Sequence, residues 1–198
     1  MKPLLAILTI AICALLGHAQ DRIPDNEAEE IAKVLNEHAG KLDNLQLKTT
    51  VDTARAFGLR HGKHGAMVIP DTKLKLDAEK EVLPLGQLWL RNLTPQVAGK
   101  PVDVDKLRIV KVSADGEDHR LPFFLLGVRA KADKSLELVV YAKDKEPLFV
   151  APLEKLEAKQ DLPLELAVQK GDDGETATVT LKVAGKYQAK FKIVRQEP

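Results

Sequence analysis

The side chains with the most potential for chemistry lie close together in the sequence Arg-His-Gly-Lys-His-Gly, residues 60–65. His61 and His64 stand at i and i+3 on this glycine-punctuated segment, and neutral imidazole is a good ligand for zinc or copper ions. A metal site needs about three or four convergent ligands. The pair would therefore need a further ligand, for which the candidates are His38, Asp71 and His119. The alternative interpretation is a solvated basic loop between two strands, with no cofactor.

The same segment also has the composition of an anion-binding loop. Glycines at positions 58, 62 and 65 would allow backbone N–H groups to converge, and Arg60 and Lys63 add positive charge. Converging N–H groups and cations are what a phosphate or sulfate needs. The phosphate-loop pattern Gly-x-x-x-x-Gly-Lys-Ser/Thr does not occur in the chain.

Catalytic motifs are missing from the sequence. The only serines, Ser113 and Ser135, lie outside any Gly-x-Ser-x-Gly elbow, and His-Glu-x-x-His does not occur. Ser113 is followed by acidic residues and His119, but a catalytic triad is a spatial arrangement, so a polar hairpin turn explains this run better. The acidic run at residues 172–175 could offer oxygens to Ca²⁺, yet it lacks the EF-hand spacing and is typical of a turn.

Residues 1–19 have the order of a secretory signal peptide. Lys2 gives a positive start, and residues 4–16 are almost entirely apolar. Gly17 and Ala19 are small residues of the kind that precede a cleavage site. The apolar run is shorter than the roughly 20 residues that a membrane-spanning helix needs. We therefore expect cleavage after residue 19, a secreted or periplasmic location, and no stable membrane anchor after cleavage.

Cys13, the only cysteine, lies inside this signal segment. Ile12 precedes it, where acylation of a lipoprotein requires a small residue, so a lipid anchor is not expected. The chain after residue 19 then contains no cysteine. This excludes disulfides, thiol nucleophiles and cysteine-ligated metal centres, and the fold must be stabilised by burial alone.

The charge is balanced. The full chain has 30 Lys and Arg against 29 Asp and Glu, and Lys2 is the only one of them within residues 1–19. A chain with equal numbers of both signs lacks the positive field of a nucleic-acid or anionic-membrane binder. Aromatic residues make up only 4% of the chain, which leaves few platforms for stacking sugars or bases. Trp89 lies among leucines, which favours a core tryptophan over a carbohydrate-stacking one.

Residues 25–39 have the periodicity of an amphipathic helix, within an N-terminal segment of residues 20–44. Pro24, and Asn26 with Glu29 in a capping-box spacing, indicate its start, and Gly40 indicates its end. A disordered spacer is the alternative. The predicted stripe, which we expect to pack on the domain surface, consists of Ala28, Ile31, Val34, Leu35 and His38.

From residue 45 the hydrophobic period changes to two, which is typical of strands. Alternation predicts a strand over residues 45–51, and residues 85–93 are apolar enough to be buried on both faces. Residues 154–159 are charged and could form a short helix or a linker between two smaller β units. Further short strands are expected at residues 66–69, 107–112, 121–128, 136–141 and 148–150.

The last third of the chain predicts a three-stranded antiparallel meander with turns at residues 171–174 and 184–186. One face should be buried and the other should face water, because a register slip of one residue would exchange them. The expected buried set is Val179, Leu181, Val183, Tyr187, Phe191 and Ile193. The expected solvent set is Thr178, Thr180, Lys182, Gln188, Lys190 and Lys192.

These patterns together predict a mainly β protein: an antiparallel β-sandwich over residues 45–198, in the manner of immunoglobulin-like domains, preceded by one helix. The cysteine–tryptophan–cysteine pattern of true immunoglobulin domains is absent. The absence of catalytic motifs favours a non-catalytic domain that binds another envelope or extracellular protein, with sheet edges as natural sites for a partner's strand. The alternative function is a small periplasmic metal- or anion-binding protein that uses residues 60–65.

Overall fold

A computed structural model describes residues 21–77, 81–114, 116–156 and 159–196. The predicted signal peptide lies outside these residues. The described chain contains one α-helix, α1 (Asp25–Ala39), and two short 3₁₀ turns at Thr53–Arg55 and Val104–Lys106. Its strands are β1 (Asp21–Arg22), β2 (Phe57–His61), β3 (His64–Pro70), β4 (Leu83–Arg91), β5 (Leu93–Val97), β6 (Lys100–Pro101), β7 (Arg108–Ala114), β8 (Glu117–Ala130), β9 (Leu136–Tyr141), β10 (Phe149–Pro152), β11 (Glu154–Lys155), β12 (Leu164–Lys170), β13 (Thr176–Val183) and β14 (Tyr187–Arg195).

The strands form two antiparallel sheets. Sheet 1 has the order β1-β2-β3-β4-β8-β9-β10, and β7 pairs with the first half of β8. Sheet 2 has the order β12-β13-β14-β5-β6, and β11 pairs with β14. The predicted fold class, a mainly β antiparallel sandwich with one helix, is confirmed.

The main core lies between the sheets. Strand alternation sends Val68, Phe124 and Leu138 of sheet 1 inward, and each is fully buried. Sheet 2 contributes Leu164 and Val179, which are equally buried. Side chains of this kind each stabilise the fold by about 1.5–3 kcal/mol relative to exposure, which suits a sandwich held by burial alone.

Helix α1 covers the outer face of sheet 1 and forms with it a second core, the outer-face core. Trp89 and Phe123 on that face are buried beneath the helix layer, with ring centroids 4.6 Å apart. The helix bounds are as predicted, and Ala28 and Leu35 of the predicted stripe are buried. The other buried helix residues are Ala32 and Ala39, whereas Ile31 and His38 are partly exposed and Val34 is exposed. Small alanines let the helix lie close to the sheet, so the bulkier Ile31 and Val34 are displaced to the side.

The predicted capping of α1 is wrong in detail. The helix starts directly after Pro24, as predicted, but no side chain caps its N-terminus with a hydrogen bond, so the expected capping box of Asn26 and Glu29 does not form. Gly40 caps the other end with a φ of −64°, so its freedom to adopt a left-handed conformation is not used there.

The predicted strand over residues 45–51 is also wrong, since only Val51 forms a β-bridge, to Asp71. Leu45 and Leu47 are partly buried against the outer-face core, which explains the alternation without a strand. In the charged segment 154–159, the predicted helix or linker is replaced at its start by β11, which pairs with β14. Residues 157 and 158 lie outside the described chain.

The predicted C-terminal meander is confirmed as β12, β13 and β14. Val179 pairs with Phe191, and Val183 pairs with Tyr187, so the expected buried residues share one face. All of that set are buried except Tyr187, which is partly exposed at the end of its strand. Of the expected solvent set, Lys190 and Lys192 are exposed on the other face, and the remaining members are partly exposed: Thr178, Thr180, Lys182 and Gln188.

Candidate functional site

Residues 60–65 form a tight hairpin rather than an open loop. Strands β2 and β3 are joined by Gly62 and Lys63 alone, and Gly62 has a φ of 56°, a left-handed value that glycine adopts without strain. His61 and His64 are directly opposite each other across the hairpin. Opposed residues of an antiparallel pair point to the same face, so the fold does bring the two imidazoles together.

Hydrogen bonds tie this hairpin tip to the end of β4. His64 donates its Nδ1 proton to the carbonyl oxygen of Asn92 at 3.0 Å. The side-chain amide of Asn92 donates in return to the Lys63 carbonyl at 2.7 Å. A proton on Nδ1 leaves Nε2 of His64 as the nitrogen with a lone pair, which is the arrangement seen in metal-binding histidines.

Two of the three candidates for a further ligand, Asp71 and His38, are engaged elsewhere, whereas His119 lines the same cleft as His64. The buried carboxylate of Asp71 accepts hydrogen bonds from the backbone N–H groups of Thr50 and Lys73, both at 2.8 Å. His38 donates to the carbonyl of Val34 within its own helix. No group of three or more His, Cys, Asp or Glu side chains able to hold a metal ion occurs among the described residues.

The two proposed anion ligands are placed differently. Arg60 forms a salt bridge with Glu27 of α1, so its charge is already balanced. Lys63 is an exposed turn residue. The hairpin therefore connects the helix layer to the sheet through Arg60.

The acidic sequence around Ser113 is a hairpin turn, as expected. The Ser113 hydroxyl donates to Asp118 at 2.6 Å, and Lys111 forms a salt bridge with the same carboxylate. The hydrogen bond from Lys111, followed by that from Ser113, lowers the pKa of Asp118 below its usual value. His119 is paired with Val112 and lies on the opposite face of β8 from Asp118, so no catalytic triad forms.

The acidic run at residues 172–175 also closes a turn. Asp173 accepts hydrogen bonds from the backbone N–H groups of Thr176 and Glu175, at 2.8 and 3.0 Å. The backbone and hydroxyl hydrogen bonds from Thr176 lower the pKa of the Asp173 carboxyl. Its oxygens are therefore used by the turn itself.

Sheet 1 has a gap beyond the end of β4. Asn92 follows β4 with a φ of 54°, a left-handed conformation that asparagine tolerates, and directs the chain into β5 of sheet 2. The pairing of β4 with β8 runs from Leu83–Val128 to Trp89–Phe123 and then stops. Among the described strands, residues 117–122 of β8 pair with β7 only.

Pro122 accounts for the point at which this pairing stops. Two residues join β7 to β8, so the backbones of the closing pair Ala114–Glu117 exchange hydrogen bonds. The backbone N–H and C=O groups of every second residue after Glu117 therefore also point towards β7. Pro122 is one of the intervening residues, whose backbone groups point towards β4. Proline has no N–H group, so the hydrogen-bond ladder with β4 is interrupted there. Asp118 and Arg120 are also intervening residues of this kind. Their backbone N–H and C=O groups therefore point into the gap.

A cleft of about 460 Å³ occupies the gap on the helix side. Its walls are α1, the tip of the β2–β3 hairpin and the β7–β8 hairpin. Val34, on the helix wall, is 38% exposed, which is high for a large apolar side chain among apolar neighbours. The apolar lining includes Ile31, Val34, Met67, Trp89, Val112 and Leu121.

Trp89 forms part of the floor of this cleft but is otherwise a core residue, as predicted. It is 2% exposed, and its indole N–H donates to Gln87 at 3.1 Å. With its polar atom satisfied and its ring against Phe123, it offers little face to a stacking sugar.

Polar side chains stand around the cleft: Glu27, Arg60, His64, Arg91 and His119. Arg91 is exposed and forms no salt bridge within the described part of the chain, whereas Arg60 is held by Glu27. Arg91 lies two residues beyond Trp89, and His119 four residues before Phe123. Since Trp89 and Phe123 are paired, Arg91 and His119 lie at the same end of the cleft. The even spacing also places both side chains on the face of sheet 1 that borders the cleft.

The sequence contains two signals of this cleft, although neither predicts it alone. A proline inside an apolar strand indicates an edge position, and Pro122 lies within the expected strand 121–128. Asn92 follows the apolar run of β4, where it can turn the chain. Both signals become informative only once the strand order is known.

No helix of the described residues is long and apolar enough to span a membrane. Comparison with known protein families, with curated proteins and with solved structures finds no match.

Proposed function

We propose that this chain is an exported, non-catalytic β-sandwich protein that binds another protein of the envelope or extracellular space. One observation carries the proposal: the edge of β8 at residues 118–122 faces a gap in sheet 1 and borders an apolar cleft. An extended segment of the partner would pair with β8 in the position that β4 would occupy if it continued straight past Asn92.

Strand addition uses two features that occur together here. Main-chain hydrogen bonds supply affinity, and pockets for alternate side chains supply specificity. The backbone groups of Asp118 and Arg120 would form the main-chain hydrogen bonds, and the cleft between Val34 and Leu121 would hold the alternate side chains. A cleft of about 460 Å³ has the size of a typical ligand pocket and suits a few apolar side chains.

The carboxyl groups with a lowered pKa have structural roles. Those of Asp133 and Asp173 lie in exposed turns, that of Asp118 lies on the exposed start of β8, and all three accept hydrogen bonds from neighbouring residues.

Arg120→Pro tests the proposal directly. The backbone N–H of Arg120 faces the gap, so proline there removes a donor to the partner and leaves the bonds to β7 intact. Arg120→Ala is the matched control, since it removes the side chain and keeps the N–H group. We expect proteins of the cell envelope, captured by the immobilised wild type and identified by mass spectrometry, to be retained by Arg120→Ala and lost by Arg120→Pro.

Equal capture by both variants would exclude strand addition at this edge. Circular dichroism and the thermal unfolding midpoint establish that Arg120→Pro is folded. We expect that variant to fold, because proline is tolerated at strand edges and Pro122 already occupies an equivalent position.

Metal binding at His61 and His64 is the second candidate function, favoured by their direct opposition across the β2–β3 hairpin. We expect a site of this kind to give heat on calorimetric titration with Zn²⁺ or Cu²⁺, and His61→Ala/His64→Ala to abolish it. Identical curves for the two proteins, or no heat up to millimolar metal, would exclude the site. Titration with phosphate tests the anion alternative at Arg60 and Lys63 in the same way.

A further inference from the structure

We infer that the partner segment carries apolar side chains at alternate positions and an acidic side chain that meets Arg91. This inference rests on the proposed function and specifies the chemistry of the segment that lies beside β8. It follows from which side chains face the cleft and from the charges at the end where β4 stops.

The alternation follows from the geometry of the sheet. His119 and Leu121 of β8 point to the helix-covered face, as does Trp89 of β4. Every second side chain of a strand added beside β8 would point the same way and enter the space between Val34 and Leu121. Since this lining is apolar, the entering side chains must be apolar, and the residues between them face the other side of the sheet.

The acidic residue follows from the charges around the cleft. Glu27 is the acidic side chain among the cleft-lining residues, and it is engaged by Arg60. Arg91 forms no salt bridge within the described residues, and His119 lies at the same end of the cleft. Among the cleft-lining residues, the Arg91 guanidinium is therefore the positive charge that no acidic side chain balances, and a carboxylate is its complement.

Peptide backbone is a better occupant of the edge than a hydrocarbon chain with a carboxylate. A fatty acid would use the apolar lining and Arg91, but it would leave the N–H and C=O groups of Asp118 and Arg120 without partners in the complex. Burying such groups without hydrogen bonds is costly, whereas an added strand satisfies them.

A displayed library of random peptides tests the inference. Selection on the wild-type protein is expected to enrich alternating apolar residues with Asp or Glu at a fixed offset. Selection on Arg91→Glu is expected to enrich Lys or Arg at that same offset.

For a synthesised acidic peptide, we expect Arg91→Glu to weaken the Kd about tenfold, since an attraction is replaced by a repulsion. Lys192→Glu makes the same change in net charge on the exposed face of sheet 2 and should leave the Kd unchanged.

The outcomes separate this inference from the proposed function. Alternating apolar peptides that bind wild type and Arg91→Glu equally, and fail to bind Arg120→Pro, would overturn the acidic contact and support strand addition. Enriched peptides that bind Arg120→Pro as well as wild type would overturn strand addition. A third outcome is a library that yields no enriched sequence while wild type binds decanoate and Arg91→Glu does not. That result would overturn both the acidic contact and strand addition, and would assign the cleft to an amphiphilic anion.

Discussion

The Gly86→Ala variant is expected to lose about 3 kcal/mol or more of its free energy of unfolding. Gly86 lies in β4 beside an irregularity in its pairing with β8, and its φ is 146°. A Cβ atom there would lie 2.2 Å from the carbonyl oxygen of Ile69 and 2.9 Å from Cα of Pro70. Both atoms belong to the backbone of β3, so the two strands would have to separate. Backbone strain and loss of strand pairing are among the few mechanisms that produce large effects.

Gly65→Ala is the matched control for this prediction. Gly65 lies in the adjacent strand β3, and an added Cβ would meet its nearest atoms at 3.5 and 3.8 Å, which is ordinary contact. Its φ is not in the left-handed range, so alanine should change the stability by no more than about 1 kcal/mol. Urea unfolding followed by tryptophan fluorescence measures both variants, because Trp89 lies in the same sheet. Equal stability of the two variants would mean that β4 has room at Gly86 that the structure does not show.

The C-terminal meander and the helix could be predicted because their signals are local. Alternation from Val179 to Val183 fixes a strand face, and the turns around Gly174 and Gly185 fix the pairing. The period of residues 25–39 fixes the helix in the same way. The buried helix residues could be predicted only in part: Ala28 and Leu35 were expected, but Ala32 and Ala39 were not, because their burial depends on how closely α1 approaches the sheet.

The segment around Leu45 and Leu47 shows why local alternation can mislead. These leucines are partly buried by the outer-face core, so their apolar character is explained without strand pairing. A strand needs a neighbour whose backbone groups are available, and this requirement is not visible in the segment itself.

The cleft depends on the order of the strands, which the sequence does not reveal. The turn at Asn92 and the proline at position 122 each look ordinary in isolation. They form a gap only because β4 and β8 are neighbours, although 25 residues separate Arg91 from Glu117. By contrast, the proximity of His61 and His64 can be predicted from the sequence, because a turn of two residues is enough to place them opposite each other.

Phe191→Ala is expected to lower the free energy of unfolding by about 3–5 kcal/mol, through lost burial and the cavity left behind. Phe191 lies opposite Val179 in sheet 2, and its ring is 5.4 Å from that of Phe149 in sheet 1. It therefore bridges the two sheets, and the cost is a large part of the roughly 5–15 kcal/mol that stabilises a typical domain. No disulfide can compensate, because Cys13 is the only cysteine.

Lys192→Ala is the control for Phe191→Ala, because it changes the next residue of the same strand on the opposite face. Lys192 is exposed, so its removal should change the free energy of unfolding by no more than about 0.5 kcal/mol. Chemical denaturation of both variants gives the comparison. A larger loss for the lysine variant than for the phenylalanine variant would contradict the assignment of the faces, or would show that the lysine face of sheet 2 is itself an interface. The pairing of Val179 with Phe191 predicts the reverse order, since every other residue of β14 faces the core.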